Sequence, residues 1–204
     1  MRFIKDINEN EMVIAFLQAE IDSARYGELL NQLLSQNGYD RSIIDHPIID
    51  DPTENAVRAE LLASARGYKV NTALFQRFPA NIQWKLIGLN KDEVANLRYI
   101  NDSIYEGEWG ALTGNTRLVK DAVWNIRNGA PVNETVSRIL KIAADFDGGK
   151  TYAELICVAK TVADPHVLIE GHSRATAYVI SDALPEELPI IIGISDLIEQ
   201  WVFF

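Results

Sequence analysis

The sequence is poor in the residues that staple, chelate or anchor a chain. Cys157 is its only cysteine, which excludes an intrachain disulfide. It nearly excludes a thiolate metal site too, because such sites need several Cys or a Cys/His set. Its three histidines, His46, His166 and His172, show no close metal-ligand spacing, so no protein-built metal site is expected. No apolar run approaches the ~20 residues that span a bilayer. Met1-Arg2-Phe3-Ile4-Lys5-Asp6 lacks the apolar stretch of a secretory signal. Positive charge is also scarce: 19 Lys and Arg face 29 Asp and Glu, for a net charge of −10. Such a surface repels nucleic-acid backbones and anionic membranes alike. These shortages point to a soluble, cytoplasmic protein with no membrane association, and they disfavour nucleic acid as a partner.

What the chain does have is material for a core. Apolar residues make up 48% of its 204 positions, enough for one large domain or a core domain with a helical addition. Met12, Val13, Phe16, Leu17 and Ile21 form one apolar stripe at helical spacing; Leu29, Leu30, Leu33 and Leu34 form another, stopped by Gly38. Asp51-Pro52-Thr53-Glu54 has the form of a helix start: a capping Asp, Pro at the first position and a Glu reaching back. That helix runs through Val57, Leu61 and Leu62 to Gly67. Asn90-Lys91-Asp92-Glu93 starts another, leading to Val94, Leu97 and Ile100, whereas Tyr105 to Gly114, with three glycines, reads as a loop. Further helices are expected over Thr116–Asn128 and after Asn133.

The pattern changes after the break at Asp147-Gly148-Gly149-Lys150, which lacks the spacing of a P-loop. Leu155–Ala159 and His166–Ile169 read as strands, Ala175–Ala183 as a helix and Leu188–Ile194 as a third strand. The chain ends on Trp201-Val202-Phe203-Phe204, apolar surface that should pack on the body or on a partner, including a second copy.

Between the second strand and its helix lie Glu170-Gly171-His172-Ser173-Arg174. Gly171 permits a sharp backbone turn. The helix after it directs free N–H groups and the positive end of its dipole outward, an arrangement suited to phosphate. Arg174 offers a planar fork of donors and Ser173 a hydroxyl. His172 could move a proton near neutral pH, and Glu170 could orient or deprotonate a hydroxyl. The plain structural alternative is a turn in which Glu170 pairs with Arg174 and His172 caps the helix. Lys160, at the end of the preceding strand, could reach the same phosphate or lie in solvent. Arg117, in Thr113-Gly114-Asn115-Thr116-Arg117, is a secondary candidate. Trp84, Trp109 and Trp124 with Tyr99 and Tyr105 could stack on a base or fill the core. Glu20 and Arg25 read as a surface or inter-domain pair.

These residues carry a resemblance. Glu170-Gly171-His172-Ser173-Arg174-Ala175-Thr176-Ala177 resembles the Asp/Glu-Gly-His-x-Arg-x-x-Ala pattern of the ParB/sulfiredoxin superfamily, over about residues 150–195. That superfamily includes CTP-hydrolysing partition proteins, ATP-using sulfiredoxins, ADP-using archaeal free-serine kinases and nuclease-type members, which share a nucleotide phosphate at this turn. Sulfiredoxins place a catalytic Cys before His-Arg, and no Cys lies here. Partition proteins carry a Gly-Glu-Arg-Arg form and a basic helix-turn-helix, also absent. The Asp-Gly-His-Thr-Arg of the free-serine kinases is most similar.

The apolar spacing predicts a predominantly helical part over 1–145, and the resemblance implies that it packs on a small ParB/sulfiredoxin-like α/β unit over 146–204; together they give an α+β protein whose two parts share a core. The resemblance implies ATP, ADP or CTP with Mg²⁺ and a small-molecule or protein acceptor. Gly171, His172, Ser173, Arg174 and Lys160 would bind phosphate, and Glu170 and His172 would be the catalytic candidates. The expected function is a Mg-dependent phosphotransferase or nucleotide hydrolase. The alternatives are a non-catalytic nucleotide- or anion-sensing interaction module and a DNA-acting nuclease or partition-type protein.

Overall fold

The computed structural model describes residues 1–101, 108–182 and 185–204. The chain opens with a strand, β1 (Arg2–Asp6), followed by α1 (Glu9–Glu20), α2 (Gly27–Gln36), the short α3 (Ser42–Asp45) and α4 (Pro52–Arg66). A second strand, β2 (Gln83–Leu89), precedes α5 (Lys91–Ala95), α6 (Glu108–Thr113), α7 (Val119–Arg127) and α8 (Glu134–Asp147). The last third holds β3 (Leu155–Ala159), β4 (Val167–Glu170), α9 (His172–Ile180) and β5 (Leu188–Ile194).

Capping chemistry sets the helix starts. Asn8 and Glu11 form a reciprocal box at α1, as do Asn90 and Glu93 at α5. The Asp51 carboxylate accepts from the amides of Thr53 and Glu54, with Pro52 opening α4. Gly67 ends α4 at φ 83; a Cβ there would lie 2.1 Å from the Thr72 carbonyl oxygen. Two expectations need correction. Glu108–Thr113 is helical rather than a loop, while Tyr105 and its neighbours lie outside the described residues. The helix from Asn90 stops at Ala95, because the chain then runs along the sheet edge: the Arg98 amide donates to His166 O, and the Leu168 amide to Arg98 O.

The five strands form one mixed sheet in the order β1-β2-β5-β3-β4. β5 is parallel to β3, and every other neighbouring pair is antiparallel. β2 pairs with β5 along its whole length, from Gln83↔Ile194 to Leu89↔Leu188. The sheet therefore crosses the expected 145/146 division: the predominantly helical first part also supplies β1 and β2. Strand alternation divides the core in two. Trp84, Ile156, Val158, Ile169 and Ile191 face α1, α2 and α4; Ile87, Leu89, Cys157, Leu168 and Ile192 face the α5–α9 side. The fold is α+β with helices on both faces of the sheet. Among the described residues, no helix is long and apolar enough to cross a membrane.

The apolar C-terminus packs on the chain's own body. Trp201 and Phe203 are buried, and Trp201 Nε1 donates to Leu74 O at 2.7 Å. This is the first of the two expected arrangements, packing on the body; Val202 and Phe204 are partly buried against the same core.

Arg58 on α4 is the largest buried charged side chain, 1% exposed. Its guanidinium donates to Ile43 O, Ile48 O, Glu54 and Asn55, holding the 43–48 segment against α4. Removing it takes the donor from the buried Ile43 carbonyl and the part-buried Ile48 carbonyl and Glu54 carboxylate. Arg58→Met should cost about 3 kcal/mol of stability, read as a lower urea midpoint at neutral pH; an unchanged midpoint would show that the clamp is dispensable.

Candidate functional site

The β4–α9 junction opens onto a cleft of about 690 Å³, within the size range of small-molecule sites. Gly171 makes the junction at φ 95, in the left-handed region. A Cβ there would approach Leu155 Cδ2 to 2.4 Å. α9 begins at His172, three residues earlier than expected, so His172, Ser173 and Arg174 form its first turn. A first-turn amide has no intrahelical acceptor, and the dipole adds positive potential there.

The structure brings Glu170, Gly171, His172, Ser173 and Arg174 together along this cleft. Arg174 is only 8% exposed. Its Nη1 donates to Ala153 O at 2.5 Å and Nη2 to Glu170 Oε1 at 2.9 Å. These bonds tie the approach to β3, the end of β4 and the start of α9 into one unit. Arg174 is thus first a structural clamp, and Glu170 its partner.

His172 stacks on Trp109, with ring centroids 5.0 Å apart and 20° between planes, and lies 5.6 Å from Tyr99. Its Nε2 faces the Ile100 amide at 3.5 Å, which assigns the ring proton to Nδ1. Burial, then the positive charges of Arg66, Arg25, Arg174 and Arg117, push its pKa down to about 3. A ring with so low a pKa is a weak base at physiological pH, which counts against the expected acid–base role for His172. Its surroundings suit stacking instead.

Two other candidates lie elsewhere. β3 and β4 are antiparallel, with Ile156 opposite Glu170 and Val158 opposite Val167. Lys160 therefore stands at the far end of this hairpin, where it pairs with Glu199 at 3.0 Å. Arg117 binds the carbonyls of Tyr99, Phe203 and Phe204, fastening the C-terminus. Among the aromatic candidates, Trp84, Tyr99 and Trp109 are core, Trp109 also bordering the cleft, and Trp124 is 64% exposed on α7.

The helical part supplies further lining: Arg66 and Arg138, which sequence patterning missed, and Glu20 and Arg25, expected only as a surface or inter-domain pair. Glu20 ends α1, Arg66 ends α4, and Arg138 lies on α8; all line the cleft, as does Arg25. Glu20 pairs with Arg66 at 3.4 Å rather than with Arg25. The Arg66 guanidinium lies 4.4 Å from the Tyr26 ring centroid, and its Nε is buried without a hydrogen-bond partner among the described residues. Arg138 Nε donates to Ser173 Oγ at 3.1 Å, placing a guanidinium beside the first turn of α9. Burial, then the nearby Glu170 charge, raises the Glu20 carboxyl above its ordinary range, while Arg66 and Ser23 oppose the rise. Five cationic side chains against four carboxylates line the cleft on a chain of net charge −10.

The arrangement can hold an anion and accept a proton at Glu20. As a test for Mg²⁺, no group of three His, Cys, Asp or Glu able to hold a metal occurs among the described residues. Two inner carboxylates, Glu20 and Glu170, suit Mg²⁺ arriving on phosphates, because that ion needs only one or two protein carboxylates.

Two consequences can be measured. Arg174→Ala leaves Glu170 and Ala153 O without their donor and should destabilise the fold by about 3 kcal/mol, seen in urea titration even without ligand; unaltered stability would leave Arg174 free for ligand. For His172, the folded pKa lies below the unfolded value near 6.5. Its contribution is full above that value and is lost as pH falls towards the folded one, at up to ~1.4 kcal/mol per pH unit. His172→Phe should flatten the stability profile between about pH 6 and pH 4 by that slope; superimposable profiles would place a charged imidazole in the fold.

No family model, curated protein or solved structure matches this chain.

Proposed function

We infer that the cleft binds a nucleotide through its phosphates and supports Mg²⁺-dependent phosphoryl transfer or nucleotide hydrolysis. The observation that carries this is the convergence of Arg66 and Arg138 on the first turn of α9, beside two carboxylates, on an otherwise acidic chain. Backbone amides and guanidinium forks are the standard phosphate donors. The resemblance of the Glu170–Arg174 turn to the ParB/sulfiredoxin pattern supports the same ligand class.

In this scheme Arg66, Arg138 and the amides of His172 and Ser173 hold phosphate oxygens. Glu170, steadied by Arg174, would complete the shell of a ligand-borne Mg²⁺, which supplies neutralisation of phosphate charge. Glu20 takes the proton from an acceptor hydroxyl or water as its oxygen bonds to the terminal phosphorus. The bond from phosphorus to the leaving phosphate oxygen breaks in the same displacement. Burial and a neighbouring carboxylate suit Glu20 to proton uptake. A second reading, a nucleotide-sensing module without turnover, is favoured by the engagement of Glu20 with Arg66 and of Glu170 with Arg174.

A thermal-shift panel of ATP, ADP, CTP and GTP, each with and without Mg²⁺, should raise the melting temperature of the parent for at least one nucleotide. Saturation at a hundredfold excess over Kd adds ~2.7 kcal/mol. Arg138→Gln should abolish or strongly reduce that shift. Glu20→Gln should keep the shift and lose turnover; a parent that binds without turnover would favour the sensor. No shift with any nucleotide would overturn the reading.

A further inference from the structure

We propose that Arg25, Arg138 and Thr135 form a second anion subsite at the outer wall of the cleft, built for the next phosphoryl group of a diphosphate or longer ligand, and that Glu108 fills it as an internal competitor in the free protein. This rests on the phosphate reading of the cleft and specifies its ligand: at least two linked phosphates.

The three groups come from separate parts of the chain. Arg25 follows α1, whereas Thr135 and Arg138 lie one turn apart on α8. Their donors converge on one carboxylate. Glu108 Oε1 lies 3.9 Å from Arg25 Nη2 and 3.8 Å from Arg138 Nη2, and Glu108 Oε2 accepts the Thr135 hydroxyl. Thr135 is 5% exposed, so its hydroxyl has little access to water as an alternative acceptor. Oxygen of an anion therefore already occupies the notch, and a phosphate oxygen has the same charge sign and acceptor chemistry.

The position relative to the inner site fixes the ligand length. The Arg138 guanidinium donates through Nε to Ser173 on the first turn of α9, while its Nη2 faces Glu108. The inner and outer anion positions are thus two sides of one guanidinium. An orthophosphate fills only one of them; linked phosphates can fill both. Glu108 must then leave, at a modest cost, because Arg25 is 65% exposed and Glu108 37% exposed in their side chains, where ion pairs are weak.

The test is calorimetric titration with inorganic orthophosphate and inorganic pyrophosphate at fixed ionic strength, on the parent, Glu108→Gln and Arg25→Gln. Glu108→Gln retains an acceptor for Thr135 while removing the competing charge. It should bind pyrophosphate roughly three- to tenfold more tightly than the parent, with orthophosphate affinity nearly unchanged. Arg25→Gln, at an exposed position that folding tolerates, should weaken pyrophosphate by a similar factor and leave orthophosphate alone. The subsite is overturned if Glu108→Gln binds pyrophosphate no better than the parent, or if Arg25→Gln affects both anions equally. It is overturned equally if pyrophosphate binds none of the three proteins; the nucleotide reading fails with it only if the parent also shows no nucleotide shift.

Discussion

The buried Glu170–Arg174 pair is the constraint on which the cleft depends. Arg174 reaches back from the first turn of α9 to the end of β4 and to the backbone preceding β3. Taking two charges out of water is costly, so such a pair persists only where further hydrogen bonds complete it; here the Ala153 and Glu154 carbonyls do so. The clamp fixes the direction of α9 and hence where its free amides point. Gly171 makes the approach possible, since a side chain there would collide with Leu155 and crowd the guanidinium. Arg174, the phosphate ligand expected from the sequence, also builds the platform, and Arg66 and Arg138 line the same cleft beside it.

On the proposed reading, a local gathering of cationic side chains lets an otherwise acidic chain hold an anion. Guanidinium groups from the loop after α1, the end of α4 and the middle of α8, helices that cover opposite faces of the sheet, meet at the cleft beyond the end of β4. Their combined potential falls on His172 and Glu20 with opposite results. It adds to burial in keeping the imidazole neutral. At Glu20 the Arg66 charge works against burial, leaving a carboxyl raised but still paired. Low dielectric strengthens both effects.

Much of the local architecture was legible because it is written in short-range chemistry. Asp51-Pro52, Asn90 and Asn133 start helices where capping rules place them, and the strand–Gly–helix junction at Glu170–Gly171 follows from one apolar run and one glycine. β2 was missed although Trp84 and Leu86 face one side and Ile87 and Leu89 the other. Its period-2 signal is short and interrupted by Gly88. The exposed β1 carries no buried face to detect. Arg25, Arg66, Arg138 and Glu20 could not be gathered from sequence, because their meeting depends on how α1, α4 and α8 dock on the sheet. At the end of α4, Arg66 reads simply as a cation complementing a helix dipole.

The most direct test of a phosphate at this cleft is a nitrogen-resolved NMR titration with Mg-nucleotide. It follows the amides of His172, Ser173 and Arg174 together with the Nε–H signals of Arg66 and Arg138. Saturable shifts at these groups, sharing one dissociation constant, are the predicted result. Saturable binding that perturbs other parts of the chain and leaves the first turn of α9 unmoved would contradict it.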